Sequence, residues 1–247
     1  MKRYVTTIFL ICIFSVSLYA QKLFHPVSCN DSLTANNDTL FIEETVFTFE
    51  MYSDSLQFFE TKFGKNKQIP ENVKAGVLVA LSHYPELATT NIQFKPKRIK
   101  YTMNARPKFG NIFKKKNNRN YVVLLNNEKG KNKGMTIDSL SFSVLVAWFG
   151  HEFAHIYTYE KMSNVQITFF SIKYLFSSNY KRKVERYTDY INIARGLGKP
   201  TYIGMDYILT DKSISAKYRR KKEKFYLSPD EIKCLWETNL LNQTNPK

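Results

Sequence analysis

Cysteine is scarce in this chain of 247 residues: three in all, too few for a disulfide scaffold or a four-cysteine zinc site. Acidic residues are few, with 21 Asp and Glu against 37 Lys and Arg, which leaves a net charge of +16. No apolar run reaches the ~18 residues that a bilayer-spanning helix needs. Internal repeats, a clear linker and RNA- or DNA-binding motifs are all missing. The chain is long enough to bury a sizeable core, and one domain with small extensions is the expectation. Hydrophobic residues at 43% and aromatics at 15% exclude wholesale disorder.

The positive charge is spread over short runs: Lys95–Lys100, Lys114–Arg119, Lys129–Lys133, Lys181–Lys183 and Arg219–Lys224. Most such runs are solvated faces, but their summed field would draw the protein toward an anionic envelope surface. The N-terminus has the pattern of an export signal. Lys2 and Arg3 precede an apolar stretch from Val5 to Val16, and Ser17-Leu18-Tyr19-Ala20 ends it before Gln21. Residues 1–20 are therefore read as a signal peptide, and the protein as periplasmic, cell-surface or secreted. Export argues against a nucleic-acid role. It also places Cys29 and Cys234 in an oxidising compartment, where a bridge between the two ends of the chain can form.

Residues 21–65 read as an N-terminal extension with an irregular, Asn- and Ser-rich start. A helix opens at Pro70-Glu71-Asn72, with Val73, Val77, Leu78 and Leu81 as its buried stripe, and ends at Tyr84-Pro85. Ile92–Phe94, Ile99–Met103 and Tyr121–Leu125 read as strands, with a Lys- and Asn-rich turn before the last. Phe142 to Tyr159 is apolar nearly all round, as suits a helix at the centre of a domain. Further helices are expected over Val165–Phe176 and Lys181–Leu197, the latter stopped by Gly196-Leu197-Gly198. Ser228-Pro229-Asp230-Glu231 has the form of a capped helix start.

The central helix contains His151-Glu152-Phe153-Ala154-His155. Histidines four apart share one helical face, so both rings can reach one metal ion. Glu152 projects beside that face, where it can reach a metal-bound water and act as general base. Two core histidines with an incidental Glu are the alternative, but three polar groups in so apolar a helix would be costly to bury unpaired. A catalytic zinc needs a third protein ligand and an open position. No histidine follows His155, and Lys161 stands where the long metzincin motif would have one. His25 and His83 lie upstream, His83 as a core or surface histidine, and Glu160 faces the wrong way. Glu185 is the better third ligand. Asp189 lies one turn further on, where it can hydrogen-bond the far nitrogen of a ligand histidine.

Trp148-Phe149-Gly150-His151-Glu152-Phe153-Ala154-His155-Ile156 and Glu185-x-x-x-Asp189 resemble the gluzincin zinc peptidases. The resemblance spans roughly residues 70–200. It implies an α+β, zincin-like fold over 66–247: a small twisted sheet, then an active-site helix and a helical C-terminal half. It further implies one zinc ion held by His151, His155 and Glu185, Glu152 as base, Asp189 behind a ligand, and hydrolysis of a peptide or protein substrate. Related small gluzincins often have Ala before the Asp, where this chain has Thr188. In the family an edge strand pairs with extended substrate, and Tyr121–Leu125 is the expected one. The family's oxyanion donor is often Tyr or His, with Tyr187, Tyr190, Tyr202, Tyr207 and Tyr218 all eligible here. The alternative is a non-catalytic zinc-binding envelope protein with a basic, anionic-surface-binding face.

Overall fold

The structure is a computed structural model that describes residues 46–115, 118–128 and 134–244. The expected signal peptide, and the extension up to residue 45, lie outside the described residues. The rest is a mixed, predominantly helical α+β arrangement around a four-stranded sheet. A 3-10 turn at Glu50–Ser55 leads into α1 (Leu56–Phe63). Short strand β1 (Lys67–Gln68) follows, then a 3-10 turn at Glu71–Val73 and α2 (Lys74–Ser82). Pro70 is extended just ahead of that turn, as a residue with fixed φ and no N–H should be. The expected stripe of α2 is buried, but so are Gly76, Val79 and Ala80, because α1 and the central helix pack on it from different sides.

Strands β2 (Asn91–Pro96), β3 (Met103–Pro107) and β4 (Asn120–Leu125) complete a sheet of order β1-β2-β4-β3. β1, β2 and β4 are parallel, and β3 runs antiparallel to β4. This order corrects two expectations. Tyr121–Leu125 is flanked by β2 and β3 and has no open edge, so β3 is the edge strand beside the central helix. Met103 begins a strand rather than ending one. Because β4 inserts between β2 and β3, the chain must cross over its end from Pro96 to Met103. Asn126, just past β4, anchors that crossing: its side-chain oxygen accepts from the Ile99 N–H, and its own N–H donates to the Thr102 carbonyl.

The central helix, α3 (Phe142–Glu160), packs on β3 and α2. Phe149 and Phe153, one turn apart, stack on each other, and Phe94 of β2 meets both edge-on at 5.8 and 6.2 Å. Full burial of each such side chain contributes about 1.5–3 kcal/mol. Arg119 is buried at the far end of α3, where it donates to the Tyr159 carbonyl and to the Asn164 side chain. It thereby ties the loop before β4 to the end of the helix.

Helix α4 (Asn164–Phe176) starts with a reciprocal cap between Ser163 and Gln166, and α5 (Ser178–Asn192) with the Ser177 hydroxyl accepting from the Tyr180 N–H. The expected stop at Gly196 is real, with φ of 86° in a π-turn at Ile193–Leu197, but α6 (Gly198–Thr210) resumes at once. Helices α7 (Ala216–Phe225) and α8 (Pro229–Thr244) follow. The start of α8 is capped as expected: the Ser228 hydroxyl accepts from the Glu231 N–H, and the Glu231 carboxylate from the Ser228 N–H. Cys234, on α8, is disulfide-bonded. Cys29, its expected partner, lies outside the described residues. Among the described residues no helix is long and apolar enough to cross a membrane.

Candidate metal centre

Helix α5 buries Val184, Glu185, Thr188, Asp189, Ile191 and Asn192. Positions 184, 185, 188, 189 and 192 form one helical stripe. Four of those five are polar, so the stripe requires specific partners. The partners lie on α3. Gly150 lets the two helices approach: a Cβ there would stand 2.3 Å from Asn192 Oδ1 and 2.3 Å from Leu197 Cδ1. Asn192 locks the crossing by donating to the Ala147 carbonyl and to Thr201, and by accepting from the Tyr84 hydroxyl at 3.1 Å.

One residue beyond Gly150 the polar groups converge. His151, His155 and Glu185 each offer a ligand atom, all within 4.8 Å of one another, a group that can hold a metal ion. Glu185 Oε2 lies 3.2 Å from His151 Nε2 and 3.5 Å from His155 Nε2. The two rings are nearly perpendicular, with centroids 4.9 Å apart. The Nδ1 atoms face away from this point and have partners of their own. His151 Nδ1 meets Asp189 Oδ1 at 2.9 Å, while Asp189 Oδ2 accepts from the Leu227 N–H at 3.0 Å. His155 Nδ1 lies 3.3 Å from the Thr188 hydroxyl, which donates to the Val184 carbonyl at 2.9 Å. With its proton directed to Val184, that hydroxyl presents a lone pair to an Nδ1–H. Both histidines are thus held in the tautomer that leaves Nε2 for a ligand bond.

Burial disfavours charge in Glu185, but its hydrogen bonds to His151 and His155 outweigh that and hold its pKa well below the usual carboxylate range. Burial likewise opposes a charged His151, yet Asp189 and Glu185 raise its pKa to about 10. In the metal-free protein a proton therefore sits between carboxylates where a cation would sit. Glu152 Oε2 accepts from the Ala105 N–H on the edge strand. Its other oxygen has no partner among the described residues, and Glu152 lines the same cavity as His151.

The structure thus brings together every ligand expected from the motif, with Glu152 and Asp189 beside them. His83 is elsewhere, its Nδ1 2.7 Å from the Arg195 carbonyl, and Glu160 ends α3 beside Tyr121. His25 lies outside the described residues. Three neighbours were not legible in advance. Thr188, at the position that departs from the family pattern, faces His155. The Tyr174 hydroxyl donates to Glu185 Oε1, and the Tyr226 ring packs 5.5 Å from that of His151. Of the tyrosines eligible as oxyanion donors only Tyr218 lines the cavity, and Tyr190 and Tyr207 are exposed. Nothing local marks Tyr174 or Tyr226, because each is placed by the packing of its helix or loop.

The fold and site define a mixed α+β protein with a buried His-His-Glu group suited to a metal ion. Compared with known proteins, the chain matches no family model, no curated protein and no solved structure.

Proposed function

We propose that this chain is an exported zinc-dependent metallopeptidase with a zincin-like fold of the gluzincin type. The observation that carries the reading is the convergence of His151, His155 and Glu185, with Glu152 lining the same cavity. Two neutral imidazoles and one carboxylate are a donor set that suits zinc and leaves a coordination position open. Zinc held there by His151, His155 and Glu185 would supply Lewis acidity and would lower the pKa of a bound water to about 7. Glu152 takes the proton of the attacking water and returns it to the leaving amine. Asp189 and Thr188 keep the two Nε2 atoms aimed at the ion. β3 is the edge strand beside the site, with the Ala105 N–H on Glu152, and is where an extended peptide would pair.

The test is metal content and peptide hydrolysis in the full chain. Wild type should carry about one zinc, Glu185→Ala and His155→Ala should lose it, and Glu152→Gln should keep zinc while losing hydrolysis. A wild type that binds no zinc sinks the reading.

A second reading is a non-cutting zinc protein of an anionic envelope surface. One observation favours it: α4 exposes Val165, Ile172, Leu175 and Phe176 along one side, with Lys161 and Lys173 nearby. Salt-sensitive binding to anionic vesicles that survives chelation, in a protein that hydrolyses no peptide, would favour this reading over the first.

A further inference from the structure

Next to His151 and Glu152, a cavity of about 30 Å³ is lined by Tyr101, Tyr218, Lys222 and Tyr226. It has room for one or two waters, or a small polar group, and is too narrow for a bulky apolar side chain. Lys222 is buried, yet no hydrogen bond or ion pair engages its ammonium among the described residues. It rests on ring faces instead: Tyr226 at 3.7 Å, Trp148 at 5.0 Å and Tyr218 at 5.9 Å. Lys221 lies 3.4 Å over the Tyr101 ring, and Lys181 lies 5.3 Å from the same ring. No ion pair joins any of these three lysines to a carboxylate among the described residues.

Two acids share the cavity. Both oxygens of Asp189 are bonded, one to His151 and the other to the Leu227 N–H; Glu152 is bonded to Ala105 through one oxygen, and no hydrogen bond or ion pair joins its other oxygen to Lys222. Ring faces attract an ammonium but are only weak acceptors for its three N–H donors. A cation that lines a narrow cavity in that state favours an anion that enters. From the His151 ring to that of Tyr226 is 5.5 Å, and from there to Lys222 Nζ is 3.7 Å. By that path the two are at most about 9 Å apart, within the reach of three residues of extended chain at about 3.3–3.6 Å each.

We propose that Lys222, with Lys221 and Lys181 behind it, forms a subsite that receives a substrate carboxylate beside the scissile bond. The substrate class is then peptides with an acidic group there, either an Asp or Glu side chain or a free C-terminus. This rests on the peptidase reading of the same site.

The experiment uses the zinc-loaded full chain carrying Glu152→Gln, which should bind peptide without turnover, with wild-type hydrolysis measured in parallel. N-acetylated tetrapeptides are compared in two arms: free C-terminal acid against amide, and C-terminally blocked Asp or Glu against Asn or Gln. Binding should favour the carboxylate by about ten- to a hundredfold in one arm, and that arm names the source. Lys222→Met keeps the apolar stem and should abolish the preference, Lys222→Arg should restore it, and Lys221→Met should reduce it. Equal binding of acid and amide forms in both arms overturns the proposal, as does a preference that survives Lys222→Met. If wild type hydrolyses peptides with no carboxylate preference, the subsite fails and the peptidase stands. A carboxylate preference in binding without any hydrolysis by wild type leaves the subsite and removes the peptidase.

Discussion

Two clusters of charge reach one cavity, the first through His151 and Asp189 and the second through Lys222, and they are built in opposite ways. In the His151, His155, Glu185 and Asp189 cluster, every acid is matched by a nitrogen donor, and the groups come from two helices locked at Gly150. In the Lys181, Lys221 and Lys222 cluster, like charges are held apart by aromatic rings without a carboxylate among them. The first arrangement is complete except for the exchange of a proton for a metal ion. The second is complete only with an anion from outside. Burial shows the difference in Lys221: removal from water lowers its pKa, with Lys181 and Lys222 adding to the effect. In Glu185 the same cost of burial is overcome by its partners.

The largest break in this contrast should come from Gly150→Ala. Its methyl would collide with Asn192 and Leu197, forcing α5 away from α3, at a cost of about 1–3 kcal/mol in stability. Thermal melts should show the loss, and zinc affinity should fall with it because the ligands sit on both helices. The zinc ligands sit on both of the helices that Gly150 brings together, whereas Lys221 and Lys222 sit on α7, so carboxylate binding should suffer less than zinc binding.

A smaller effect is expected behind the ligands. Asp189→Asn should weaken zinc about 10–100-fold, since it removes the carboxylate that orients His151. Thr188→Val should weaken it less, by a factor of about ten at most, because a hydroxyl orients His155 without charge. Thr188→Ser should be close to wild type. Competition with a chromophoric chelator measures all three, and equal affinities throughout would show that neither residue positions a ligand.

The finest probe is the proton itself. Because His151 titrates near 10 in the metal-free protein against about 6.5 unfolded, its proton stabilises that form fully below 6.5. The benefit is lost as pH rises through about 10. Zinc bound as proposed would take the proton's place, so binding at pH 8 should release a proton from His151, seen by calorimetry in buffers of different ionisation enthalpy. Melting temperature of the chelated protein should fall across that window, while that of the zinc form should not follow it. Zinc uptake with no proton release at pH 8 would mean that the cluster is not held by a histidine proton.

Helical spacing made His151, Glu152 and His155 legible, and one-turn spacing made Glu185 and Asp189 legible, because α-helical periodicity is a local property of the chain. The capped start at Ser228 is local for the same reason. Strand order was not legible. Val122 and Val123 suit an edge or a centre equally, and only the crossing from Pro96 to Met103 puts β4 inside. Thr188, Tyr174 and Lys222 were also beyond reach. A threonine in a helix, a tyrosine among sixteen and a lysine within a basic run acquire their roles from what another element places opposite them. The sequence by itself determined which side chains share a helical face. Tertiary structure decided which faces meet, because that follows from contacts between residues far apart in the chain, such as Gly150 with Asn192 and Ala105 with Glu152.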